Sequence, residues 1–97
     1  MSNLHRILVP AGVANALTPA TALFEAYIVK QVGGFTYTAA RGAWADDTGN
    51  VIHEPIAQYD IACTGAQFNS IIERARKLWP KEQCFFAAHI GEAWLTR

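Results

Sequence analysis

The sequence predicts an α+β domain whose elements follow in the order βαββαβ. Three observations carry this reading. Two stretches repeat apolar residues at helical spacing between caps and breakers, four short runs are rich in β-branched or aromatic residues, and one dense cluster of turn formers joins the middle two runs.

Leu4 to Val9 is an apolar run suited to a buried strand, β1, which Pro10 and Gly12 stop. Thr18-Pro19 then places an N-cap hydroxyl before a proline at the first helical position. Leu23, Phe24, Tyr27, Ile28 and Val32 recur on one helix face until Gly33-Gly34, which predicts α1 over residues 19–32. Phe35 to Thr38 alternates aromatic residues with Thr and opens β2, so Phe35 and Tyr37 should share a face. Asp46-Asp47-Thr48-Gly49-Asn50 is a turn between β2 and a returning strand, β3, from Val51 to Cys63. Pro55 lies inside β3 and has no N–H to give a ladder, so a bulge or an edge position is expected there.

Thr64 or Gly65 can cap a second helix, α2, in which Phe68, Ile71, Ile72, Ala75, Leu78 and Trp79 fall on one stripe before Pro80. Cys84 to Ile90 reads as β4, with Phe85, Ala87 and His89 on one face and Phe86, Ala88 and Ile90 on the other. Right-handed crossovers make the compact solution a ferredoxin-like domain: one four-stranded antiparallel sheet in the order 4-1-3-2, both helices on one face, and a long β2–β3 hairpin.

At 97 residues the chain holds one domain, 1–97, and no second core. Apolar residues make up 52% of it and charged residues 16%, against roughly 25% charged in an ordinary domain. That balance excludes a disordered chain. The formal net charge is zero and no run of Lys and Arg is present, so nucleic acid is not the expected partner. The cluster Arg74, Arg76, Lys77 and Lys81 is accounted for by the C-terminal dipole of α2. No stretch reaches the ~20 apolar residues of a membrane span and residues 1–6 lead into no signal peptide, which predicts a cytoplasmic location. Cys63 and Cys84 lack CxxC spacing and are expected as buried thiols, with no metal and no cofactor.

The segments Gly34-Phe35-Thr36, Gly42-Ala43-Trp44, Gly49 and Glu54-Pro55 resemble the pattern of a family of short bacterial proteins of unknown function. That pattern is a Gly-aromatic-Thr strand, a Gly-x-Trp before a turn and a Glu soon after it. The similarity runs over residues 33–90, and Lys81-Glu82-Gln83 is similar to the Gln-containing approach to that family's last strand. The resemblance implies the fold and no activity. Exported members of that family carry a signal peptide, which is not read at the start of this sequence.

Two ends of the predicted sheet could carry chemistry. At one, His5, Cys63 and His89 approach one another, but no local spacing enforces a tetrahedral site, so strand-end histidines beside a buried thiol are expected. At the other, the Pro10–Thr18 loop, the start of α1 and the hairpin meet, placing Thr18, Trp44, His53 and Glu54 around a candidate ligand site. His53 and Glu54 are neighbours on a strand and should point to opposite faces, which argues against a base and its orienter. No Ser, Cys or Lys stands in a nucleophile motif, so no catalytic residue is assigned.

The resulting expectation is a non-catalytic binding or interaction module, homodimeric, that holds a partner protein or a small-molecule ligand. Trp44, His53, Glu54, Thr18, Tyr37, His89 and Trp94 are its expected contact residues. The bare side of the sheet, together with Trp94 and Leu95, supplies the surface that a second copy would bury. The alternative is a small dimeric ferredoxin-like enzyme that uses a histidine as acid/base in a pocket between sheet and helices.

Overall fold

The structure is a computed structural model and describes residues 3–10, 18–81 and 85–93. Its elements are β1 (Asn3–Pro10), α1 (Pro19–Val32), β2 (Thr36–Ala45), β3 (Val51–Cys63), α2 (Gly65–Leu78) and β4 (Phe86–Glu92). The strands form one antiparallel sheet in the order β2-β3-β1-β4, the ferredoxin-like arrangement that the sequence predicts.

Local chemistry sets the helix ends. The Thr18 hydroxyl accepts from the Thr21 amide, and Pro19 opens α1. Gly33 ends it at φ 95°, a left-handed conformation that costs glycine nothing. A full capping box starts α2: the Thr64 side chain accepts from the Gln67 amide at 3.1 Å, and the Thr64 amide donates to Gln67 Oε1 at 2.9 Å. At the hairpin tip Asp46 Oδ1 accepts from both the amide and the hydroxyl of Thr48 and from the Asn50 amide, which holds its carboxyl below the usual range.

The core lies between sheet and helices. His5, Ile7 and Val9 stand opposite Ile61, Tyr59 and Ala57 and are buried on the helix side, beneath Phe24 and Ile28 of α1 and Phe68, Ile71 and Ala75 of α2. Phe24 sits edge-on to both Tyr59, at 5.2 Å between ring centroids, and Trp79, at 5.1 Å. Trp79 is buried, and its indole N–H has no hydrogen-bond partner among the described residues. Tyr59 donates to Glu25 at 2.8 Å, and burial together with that bond pushes its phenol far above the ordinary value. Phe35 and Tyr37 both pack on Tyr59, so they share a face as expected.

Two details differ from the sequence reading, and at Pro55 the edge alternative holds in place of the bulge. Ile72 and Leu78 are half-buried flanks of the α2 stripe, not its centre. In β4 the register shifts between Leu4 and His5: His5 pairs with His89 and Leu4 with Gly91, so Ile90 is an extra residue and does not continue the face of Phe86 and Ala88. Pro55 causes no bulge in the β2–β3 ladder, whose register is unbroken from Thr36↔Asp60 to Ala45↔Val51. The reason is positional. β1 ends with Pro10 opposite Ile56, so Pro55 is the first β3 residue with a neighbour on one side only, where a missing N–H need not cost a ladder bond.

Beyond that point the hairpin continues for five residue pairs, Arg41↔Pro55 to Ala45↔Val51. This two-stranded arm projects about 17 Å at ~3.4 Å per residue and accounts for the long axis of a molecule measuring 48 × 28 × 22 Å.

Candidate functional site

No described element covers the side of the sheet away from the helices, and much of its surface is apolar. Residues paired across strands share a face, which places Trp44 with Ile52, Gly42 with Glu54, Ala40 with Ile56, Leu8 with Gln58 and Phe86 with Leu8 on this side. Trp44, Ile52 and Phe86 are exposed, Phe86 by 65%. A Cβ built on Gly42 would lie 3.3 Å from Trp44 Cζ3 and 3.4 Å from Ile56 Cγ1. The indole therefore folds back along β2 over the bare glycine toward Ile56, which is the physical content of the Gly-x-Trp sequence. A hydrogen-bonded polar cluster interrupts the surface. Arg6 grips Asp60 with two hydrogen bonds, Nε to Oδ1 at 2.7 Å and Nη2 to Oδ2 at 3.2 Å, and Gln58 donates to the same carboxylate at 3.3 Å.

The histidine cluster forms on the helix side. His5 Nδ1 lies 3.5 Å from Cys63 Sγ, the His5 ring stacks on Phe68 at 4.6 Å, and the His89 ring is 5.3 Å away across the strand pair. Burial, then the neighbouring His89, holds the His5 imidazole below its ordinary value, and burial pushes the Cys63 thiol up. Both shifts favour uncharged groups, so neither a thiolate nucleophile nor an imidazolium is poised here. Among the described residues no group of three or more His, Cys, Asp or Glu could hold a metal ion.

A pH dependence follows. His5 takes up its proton less readily folded than unfolded, so its contribution to stability is complete above the ordinary histidine value of about 6.5 and declines as pH falls below it. Thermal melts from pH 7.5 to 5 should show the midpoint dropping, and His5→Phe, which keeps the stack on Phe68, should flatten that slope. An equal slope in the variant would assign the effect to other groups.

The other expected contact residues are dispersed. Thr18 is occupied as the α1 cap: its hydroxyl accepts from the Thr21 amide and donates to the Thr21 hydroxyl oxygen. Tyr37 packs on Tyr59 on the helix side and stays 41% exposed. His53 and Glu54 lie on the arm opposite Ala43 and Gly42, on opposite faces as expected. Trp94 lies outside the described residues, as do Leu95, Cys84 and residues 11–17 and 82–84, and with them part of the ligand site expected around Thr18 and the hairpin. The sequence reading missed Arg6 and Asp60, 54 residues apart, and carried no local signal for their pairing. It also missed a cavity of about 310 Å³ over the outer side of α2, lined by Tyr27, Asn69, Ser70, Glu73, Arg74 and Lys77, where the Arg74 guanidinium covers the Tyr27 ring at 4.4 Å.

Comparison with known proteins places the fold and nothing narrower. The chain is similar to a divalent cation tolerance protein, Cut A1, from Thermus thermophilus: 16% identity and a TM-score of 0.64, covering 96% of this chain and 87% of that one. It is also similar to a phage SAM lyase in complex with S-methyl-5′-thioadenosine: 17% identity and a TM-score of 0.57, covering 89% of this chain and 78% of that one. No family model and no curated protein matches the sequence. No helix among the described residues is long and apolar enough to cross a membrane.

Proposed function

We propose that this chain is a small self-associating interaction module, a homodimer in which a second copy covers the open sheet face and which holds a partner protein or a small ligand. One observation carries the reading: an apolar face runs from Trp44 and Ile52 on the arm past Ile56 and Leu8 to Phe86, and Trp44, Ile52 and Phe86 on it are exposed. A chain of this size has too little interior to hide them. A stable contact would bury roughly 1,200–2,000 Å² in total. A cytoplasmic setting suits the reading, since Cys63 is a buried free thiol.

Sedimentation equilibrium tests it. The wild type should self-associate at micromolar concentration, and Phe86→Asp, on β4 and far from the arm, should weaken association at least tenfold. A monomer up to about 100 μM, well above the micromolar affinity of a modest contact, would reject the module as a self-associating one.

The likeness to a SAM lyase supports a second reading, a small enzyme acting on an adenosyl sulfonium compound. Its acid/base candidates are His53, which stands on the arm opposite Ala43, and His89, whose ring lies 5.3 Å from that of His5. Incubation with S-adenosylmethionine, followed for the appearance of S-methyl-5′-thioadenosine, separates the readings: turnover favours the enzyme, and none favours the module.

A further inference from the structure

The two edges of the sheet are built differently. β4 is short, seven residues, and carries the irregularity at Ile90. β2 has ten residues in unbroken register with β3, no proline, no lysine and one charge, Arg41. Natural sheets blunt a free edge with prolines, bulges, lysines or brevity, because a row of unpaired N–H and C=O groups recruits another strand. β4 has two of these devices and β2 has none. The outer half of β2, Arg41 to Ala45, also lies on the arm past the end of β1, so a strand can approach it beside a ribbon only two strands wide.

We infer that the β2 edge is a second self-association surface, pairing antiparallel with the β2 edge of another copy about a two-fold axis to give a continuous eight-stranded sheet. The occupant is set by the register that the sequence permits. A two-fold axis normal to the sheet keeps each face on its own side, so residues opposite one another must share a face, and their numbers must add to an even total. Two registers overlap nine of the ten residues. One sets Arg41 against Arg41, like charges directly opposed, which destabilises a strand pair. The other centres on Ala40 and sets Ala39 against Arg41, Thr38 against Gly42, Tyr37 against Ala43 and Thr36 against Trp44. It sets no like charges directly opposite one another, and each Arg41 meets the small Ala39. The arm of each copy then runs along the inner half of the other's β2. This contact is separate from the covered face proposed above.

Cysteine cross-linking in a Cys84→Ser, Phe86→Asp background tests the edge alone, because Cys63 is buried and the face contact is removed. Ala40→Cys places the two new thiols directly opposite across the axis, at a Cα separation of about 4.5–5.5 Å, inside the range a disulfide spans. It should give a covalent dimer at low micromolar concentration under mild oxidation. Ala43→Cys, equally on β2 but about 20 Å from its mate in this register at ~3.4 Å per residue, should not. Both variants must melt within two degrees of the background, so that neither result reports unfolding. No cross-link at Ala40, or equal cross-linking at both positions, overturns the inference. Self-association lost in Phe86→Asp without any cross-link leaves the face reading standing and removes only the edge.

Discussion

Phe24→Ala is expected to cost about 3–5 kcal/mol of folding stability, the usual range for a fully buried aromatic cut back to a methyl group. Phe24 has no exposed surface and is wedged edge-on between Tyr59 and Trp79, so its loss opens a cavity between α1, β3 and the end of α2 at once. Those two neighbours belong to different elements and cannot collapse together into the space. Each kcal/mol moves the melting midpoint of a domain of this size by roughly 4–8 °C, so the midpoint should fall by roughly 12–40 °C. Leu23→Ala, one residue away but 60% exposed, is the control and should stay within about 0.5 kcal/mol of wild type. Similar melts for the two variants would mean that α1 is rotated about its axis relative to this structure.

The second large effect separates two adjacent isoleucines. Ile71→Ala should cost about 2–5 kcal/mol, because Ile71 is fully buried in the contact of α2 with the sheet. Ile72→Ala should cost about 1 kcal/mol or less, because Ile72 is half-buried at the side of the stripe and water can take up the vacated space. From the spacing in the sequence alone the two are equivalent core positions. Urea unfolding of both variants decides the rotation of α2, and the order Ile72 costlier than Ile71 would contradict it. The same urea series can be run with Phe86→Asp, which changes an exposed residue and should leave monomer stability almost unchanged while it weakens association.

Element identity was legible because it rests on short-range chemistry. Thr18-Pro19, Gly33, the Thr64–Gln67 box, Pro80 and the Asp46–Asn50 turn each act on backbone within a few residues, so their effect can be read where they stand. Four strands and two helices in that order then left few compact topologies, and the observed strand order is among them. Tertiary structure alone decided the rest. The closeness of His5 to Cys63 could be anticipated from strand ends, but its 3.5 Å contact and the stack on Phe68 depend on the β1–β3 register and on how α2 settles above it. The Arg6–Asp60 clasp, the Tyr59 bond to Glu25 and the length by which the arm outruns β1 join residues far apart in the chain. Their energies depend on which pair of surfaces meets and at what offset. A single register step exchanges the two faces of a strand, so no local pattern fixes such contacts until the sheet and its helices have packed.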